Sequence, residues 1–369
     1  MNVPLVDLHA QYATIREDLQ QAVLRVLDSQ KFISGQGPDV AELEKAIAAY
    51  CGVKRGCALS SGSDAILMML HAAGIGPGDE VITTPFTFFG TAGAIARAGA
   101  RPVFCDIDPK TYNIDPARIE PLITPRTRAI MPVHVFGQCA EMDAINAVAA
   151  RHGLLVFEDA AQAIGSQYRG RRSCSLSKAG ILSFYPTKNL SGIGEGGMLL
   201  TDDEALAARA DRLRNHGQSR TYLHDEIGWN CRLSAIQAAG LLVRLPHLDR
   251  WNGLRRAHAG RYNQAFAAHP IQTPVTEPHQ HHTYHLYVIG VDERDALQQH
   301  LKARGVGCGV YYPLPLHLQP CFGCLSYKPG DLPVAERASR RVLALPVFPE
   351  LTVEQQEYVI RCVTEKIGG

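Results

Sequence analysis

Apolar positions recur at helical spacing over residues 13–28, which predicts an amphipathic helix, and residues 40–50 predict another. The pattern then changes to short apolar or β-branched runs at Val81–Thr83, Pro102–Cys105, Ala129–Val133, Leu154–Phe157, Ile181–Tyr185 and Gly197–Leu200. Helix-like segments at 64–74, 90–98, 141–152 and 203–215 lie between several of them. Strand–helix alternation of this kind predicts an α/β fold, with a mostly parallel sheet covered by helices on both faces. A long amphipathic stretch from Leu233 to about Ala268, without strong breakers, connects the halves. The Pro- and His-rich segment 269–282 reads as a loop. Beyond it the pattern predicts a strand at Tyr284–Ile289, a helix at Asp292–Arg304, a strand at Val306–Tyr311 and helices near 334–343 and 352–367. This is a smaller α+β unit. A chain of 369 residues is long for one core, so two domains are expected, 1–245 and 246–369.

Composition narrows the function classes. A formal net charge of +1 offers no electrostatic case for nucleic acid or an anionic membrane as partner. No apolar run approaches the roughly 18 residues of a membrane span. The N-terminus has no basic region followed by an apolar core, so no signal peptide is expected. The ten cysteines are scattered, several inside apolar runs (Cys105, Cys231, Cys362), which fits buried thiols and a cytoplasmic location. Cys321-Phe-Gly-Cys324 lacks a second ligand pair and reads as a loop, so no metal is expected.

Candidate chemistry lies where the predicted strands end. Lys188 stands just past Ile181–Tyr185, and Asp159 follows Leu154–Phe157. Pyridoxal phosphate (PLP) chemistry needs such a pair: an amine to form a Schiff base and an acid to keep the pyridine nitrogen protonated. Taken singly, they read more simply as a surface Lys and a helix-capping Asp. Gln162, three residues after Asp159, lies within reach of the same ligand. Leu59-Ser-Ser-Gly-Ser-Asp-Ala65 precedes an apolar helix and presents Gly62 and Ser63 at its positive end, either as a phosphate site or as an ordinary Ser cap. Ser183 can join them from the strand that leads to Lys188. Phe86, Phe88 and Phe89 follow Val81–Thr83; one could cover a flat heterocycle and the others read as core. Gly192, Gly194 and Gly197 form a G-x-G-x-x-G, but they lead into an apparent strand rather than a helix, so a dinucleotide site is rejected.

Together these segments resemble the DegT/DnrJ/EryC1/StrS family of sugar aminotransferases. The matching stretches are Ser61–Ala65, Gly76–Val81, Thr87-Phe88, Pro132–Gly137, Glu158–Gln162, Ser183–Lys188, Gly194–Gly197, Gly228–Arg232 and Tyr312–His317, in the family's order and across nearly the whole chain. The resemblance implies a type I PLP aminotransferase fold, with a seven-stranded, mostly parallel sheet and a smaller C-terminal domain. It implies Lys188 as the Schiff-base lysine and proton carrier, and Asp159 at the pyridinium nitrogen. Gln162 would contact the ring hydroxyl and Phe88 would stack on the ring. Gly62, Ser63 and Ser183 would hold the phosphate. Asn230 would reach that phosphate from the other subunit of a homodimer, and Arg232 and His317 would lie near substrate. The reaction implied carries an amino group from L-glutamate, through pyridoxamine phosphate (PMP), to a nucleotide-linked keto sugar. Arg214, Arg220 and Arg232 are candidates for the acceptor's phosphates. Lys188 argues against the family branch that carries His there and catalyses deoxygenation. Ser63 replaces a commoner Thr. The variant stretch Ser173–Lys178, together with Arg172-Ser-Cys174, resembles the subgroup acting on a UDP-2-acetamido-3-keto-glucuronate. The alternatives are a transaminase of smaller ketones, aldehydes or keto-cyclitols with another donor, and a PLP-binding regulator without catalysis.

Overall fold

All six expected strands of the N-terminal half form, and a seventh joins them. In this computed structural model, which describes residues 1–33, 35 and 37–368, they are β1 (Arg55–Leu59), β2 (Glu80–Thr83), β3 (Arg101–Phe104), β4 (Thr127–Met131), β5 (Leu155–Asp159), β6 (Ala179–Ser183) and β7 (Gly197–Thr201). They make one sheet in the order β1-β7-β6-β5-β4-β2-β3. Only β7 runs against its neighbours; the other pairings are parallel. Successive side chains on a strand point to opposite faces. Thus Ile181 and Leu199 enter the core on one face, while Leu182, Met198 and Leu200 enter the core on the other.

Among the described residues, twelve α-helices surround the strands. They are α1 (Leu8–Thr14), α2 (Arg16–Ser29), α3 (Asp39–Cys51), α4 (Gly62–Ala72), α5 (Gly90–Arg97), α6 (Met142–His152), α7 (Glu204–Leu213), α8 (Ala235–Arg244), α9 (Leu248–Phe266), α10 (Arg294–Ala303), α11 (Pro333–Arg341) and α12 (Val353–Gly368). Residues 66–70 of α4 are all buried, because the sheet lies on one side and α5 and α7 on the other. A helix apolar all round is stable only in such a place. On the opposite face, α3 and α8 cover β1, β6 and β7, and α6 covers β4 and β5.

The amphipathic stretch from Leu233 is two helices rather than one. Pro246 removes an amide donor, and a 3₁₀ turn over Leu245–His247 separates α8 from α9. Beyond α9, β8 (Tyr287–Gly290) pairs antiparallel with β9 (Val342–Leu345). Expected strand Val306–Tyr311 is present only as isolated bridges, from Val306 to Val3 and from Gly309 to Ala344. Val3 thereby joins the core of the C-terminal unit with Tyr262, Tyr287 and Leu343. Among the described residues, no helix is long and apolar enough to cross a membrane.

Candidate active site

The loop after β1 brings α4 against the end of β6. Ser61 has extended backbone and caps α4, its Oγ accepting from the Asp64 N–H at 3.1 Å. Two glycines permit the close approach. A Cβ on Gly62 would stand 2.9 Å from the Ser183 Cβ, and one on Gly197 would stand 2.4 Å from the Ser61 carbonyl carbon and oxygen. Ser63 turns its Oγ toward Gly90, at the start of α5. Gly62, Ser63 and Ser183 are therefore gathered at the positive end of an 11-residue helix, which offers free N–H groups to an anion. The glycines after Lys188 lead into β7, a strand, as the rejection of a dinucleotide site required.

Asp159 ends β5 and is 3% exposed. Its Oδ2 accepts from Thr91 Oγ1 at 2.7 Å and its Oδ1 from the Ala161 N–H at 3.1 Å. Thr87 extends this line with a 3.0 Å contact to Thr91 Oγ1. Burial pushes the Asp159 carboxyl above its usual range; the two hydrogen bonds and the charge of Lys188 oppose the rise. Gln162 is aimed by both ends of its amide: Oε1 accepts from the Phe136 N–H at 2.8 Å, and Nε2 donates to Tyr312 Oη at 2.7 Å. Behind Asp159 lies a fully buried pair. His134 Nδ1 accepts from the Ala140 N–H at 3.1 Å, so Nε2 carries the proton and donates to Glu158 at 2.9 Å. Glu158 also accepts from the Cys174 and Leu176 N–H groups, fixing the 173–178 stretch to the protein interior.

Lys188 lies five residues beyond β6, its N–H donating to the Tyr185 carbonyl at 2.8 Å. Burial pushes its ammonium down to about 8, and the neighbouring Asp159 charge resists that fall. A lysine so placed offers a neutral amine near neutral pH. Phe88 is 61% exposed at the rim.

The remaining residues are more dispersed. Asn230 is exposed, and its backbone bridges to Asn215. Arg232 Nη1 donates to Asn215 Oδ1 at 2.5 Å. The His317 side chain is fully buried, with Nε2 3.2 Å from Glu336 and Nδ1 without a partner. Arg220 is exposed on the 218–224 hairpin. Arg214 is a correction: it is buried, ion-paired with Glu44 and Asp211 and bonded to the Ala58 carbonyl, so its charge is spent inside the protein. Cys321 and Cys324 are exposed in a 3₁₀ segment, and among the described residues no group of His, Cys, Asp and Glu is set to hold a metal. Thr91, Tyr312 and the His134–Glu158 pair were given no role from sequence, although Tyr312, His134 and Glu158 lie in stretches that carry the family resemblance. The spacing of Thr87 and Thr91, one helical turn apart after β2, was the available signal for the first.

These residues fit a flat, phosphorylated aldehyde cofactor. Gly62 and Gly197 leave a cradle at α4 that a Cβ would fill, a buried acid stands ready for a ring cation, and a partly buried amine lies beside it. Known proteins agree with that fit. Residues 13–364 match the model of the DegT/DnrJ/EryC1/StrS aminotransferase family. The pleiotropic regulatory protein of Geobacillus stearothermophilus is 50% identical over 99% of this chain and 98% of its own length. The UDP-2-acetamido-2-deoxy-3-oxo-D-glucuronate aminotransferase of Pseudomonas aeruginosa is 41% identical over 98% of this chain and 99% of its own. DesV of Streptomyces venezuelae, solved in complex with a ketimine intermediate, superposes with a TM-score of 0.97 at 42% identity, covering 100% of this chain and 99% of that one. NtdA of Bacillus subtilis, solved with bound PMP, gives 0.93 at 33% identity over 100% and 86%. The chain belongs to the DegT/DnrJ/EryC1/StrS aminotransferase family and is a PLP-dependent aminotransferase.

Proposed function

We propose that this enzyme, acting in the cytoplasm as a homodimer, carries the amino group of L-glutamate to a nucleotide-linked keto-hexose, foremost a UDP-2-acetamido-3-keto-uronate. The observation that carries the catalytic reading is the meeting of Asp159, Lys188 and the α4 N-terminus at neighbouring strand ends. When bound, PLP supplies the electron sink that makes a donor's α-proton acidic. Gly62, Ser63 and Ser183 hold its phosphate, and Asp159 keeps its ring nitrogen protonated. Gln162 contacts the ring hydroxyl and Phe88 covers the ring. Lys188 would hold the cofactor through Nζ until the donor's amine displaces it, and the freed amine would then take the donor's α-proton and return it as general acid. Arg232 and His317 serve the acceptor. The second copy is supported by Tyr222 and Ile227, each 91% exposed, which flank Leu223 on the segment leading to Asn230. Covering that apolar surface with a second copy is the arrangement in which Asn230 reaches the partner's phosphate.

The acceptor class rests on the Pseudomonas aeruginosa relative. The Ser173–Lys178 variation lends it no contact, because that stretch is tied to buried Glu158. The test is release of 2-oxoglutarate from L-glutamate by the PLP-loaded enzyme against a panel of acceptors. Turnover should be fastest with UDP-linked 3-keto sugars. Turnover confined to keto-cyclitols or small aldehydes would overturn the acceptor, and turnover only with glutamine would overturn the donor. A regulatory role is the second reading, favoured by the name of the Geobacillus stearothermophilus relative. Loss of the protein's cellular effect in a Lys188→Ala variant would tie any such effect to catalysis.

A further inference from the structure

The residue after Lys188 is buried and fully engaged. Asn189 is 4% exposed. Its Nδ2 donates to Asn252 Oδ1 on α9 at 2.7 Å and to the Thr283 carbonyl at 3.2 Å. Its Oδ1 lies 3.2 Å from His285 Nδ1. The amide nitrogen is committed as donor, so the oxygen accepts, and His285 must carry its proton on Nδ1. Each partner is held in turn. Asn252 Nδ2 donates to the Ile164 carbonyl at 3.2 Å. Thr283 donates its N–H to the Gly137 carbonyl at 2.9 Å. Arg255, 3% exposed, caps the Tyr284 and His285 carbonyls and the Val347 carbonyl through Nη1. One side chain thus binds the lysine's own peptide to α9 and to the 283–285 segment that enters β8.

We propose that Asn189 and His285 are positioning residues, which clamp the peptide carrying Lys188 to the C-terminal unit and so hold its amine in the buried place where it is reactive. A lysine has four side-chain torsions, and a loose loop would let its Nζ swing to water. The clamp removes that freedom at the backbone. The charged and titratable groups packed around this peptide are Asp159 from β5, His285, Arg255 from α9, and Asp7 and Glu350 across a small cleft that Lys188 lines. Burial, with the Lys188 and Arg255 charges, pushes the His285 imidazolium far down, so the ring stays neutral and its Nδ1–H remains a donor across the working pH range. The clamp is therefore not itself a pH switch.

The inference rests on Lys188 being the reactive amine of the proposed function, so its test is made without cofactor. In the cofactor-free full-length protein, trace acetylation by acetic anhydride, read by mass spectrometry of the Lys188 peptide across pH, gives the midpoint at which that amine loses its proton. Changed access alone scales the labelling but does not move its midpoint. In wild type the midpoint should fall near 8. His285→Leu removes the donor, and the midpoint should rise toward that of an ordinary lysine; a rise of one unit cuts the neutral amine at pH 8 by about fivefold. His285→Asn places an amide N–H where Nδ1–H was and should restore the wild-type midpoint. Asn189→Ala should shift it at least as far as His285→Leu; if that variant does not fold, the two His285 variants decide the matter alone. A midpoint in His285→Leu equal to wild type, with near-ultraviolet circular dichroism preserved, would overturn the proposal. Wild-type protein that labels as expected but fails to bind PLP would instead sink the proposed function and leave the clamp standing.

Discussion

Thr91→Val deletes a hydroxyl and keeps the side chain's shape. Thr91 and Asp159 are 2% and 3% exposed, so no solvent replaces the lost bond cheaply. The Asp159 carboxylate accepts two hydrogen bonds among the described residues, 2.7 Å from Thr91 and 3.1 Å from Ala161, and the variant removes the shorter. A hydrogen bond to a buried charged group contributes about 1.5–3 kcal/mol. At about 1.4 kcal/mol per unit, the Asp159 pKa should rise by about one to two units, adding to the rise that burial already imposes. The Thr87 hydroxyl also loses its partner. The assay is kcat/KM for the glutamate half-reaction against pH, whose acidic limb reports a group that must be ionised in the free enzyme. That limb should move to higher pH by about one to two units in Thr91→Val and return in Thr91→Ser. If the limb stays within about 0.3 unit of wild type while the protein remains folded, Thr91 does not hold the Asp159 charge, and the electrostatic account of the site is wrong.

Lys188→Ala should retain PLP non-covalently and show no turnover; appreciable transamination would remove Lys188 from its role. The Lys188 amine in the fold has a pKa of about 8 against 10.5 for the free side chain, so the unfolded chain binds more protons between those values. Its contribution to stability therefore rises with pH across that window, by at most about 3.4 kcal/mol. Urea denaturation should show the cofactor-free wild type gaining on Lys188→Met between pH 8 and 10, and parallel curves would contradict the assignment. Gly62→Ala places a methyl 2.9 Å from Ser183 and should cost about 1–3 kcal/mol of PLP affinity, measured by fluorescence titration; unchanged affinity would move the phosphate elsewhere. Inactive Lys188→Ala and Asn230→Ala proteins, unfolded and refolded together, should regain activity at about a quarter of the sites if each site draws on two subunits. A mixture that forms dimers but stays inactive would remove Asn230 from the shared site.

Much of the sheet was legible because buried parallel strands are continuous apolar runs punctuated by helices. Arg55-Gly-Cys-Ala-Leu59 escaped because one Gly and one Arg leave only three apolar residues; it becomes a strand by pairing with β7 along its whole length. Val342 and Leu343 read as the end of the helix expected near 334–343, since the apolar residues after α11 fit either period, and only pairing with β8 makes Val342–Leu345 a strand. Val306–Tyr311 had strand composition, but only bridges form there. Around the site, Asp159 and Lys188 could be located because strand ends and polar residues coincide in sequence. Their supports could not. Thr91 reaches Asp159 across 68 residues and Tyr312 reaches Gln162 across 150, and nothing local to either residue names its partner. Arg214 was misjudged because nothing in Asp211–Arg214 reveals that Glu44 lies beside it.

The antiparallel insertion of β7 has a consequence for how the chain is made. β7 lies between β1 and β6, and Gly197 rests on the Ser61–Gly62 peptide. The floor of the phosphate cradle thus joins the first strand of the sheet to the last. Chains emerge from the ribosome in order, and pairing between distant segments forms slowly. Until residue 201 has left the ribosome, β1 has no neighbour in the sheet, and the anion-binding loop has Ser183 beside it but lacks the Gly197 floor. The phosphate cradle is therefore complete only when the last strand of the sheet has paired with the first.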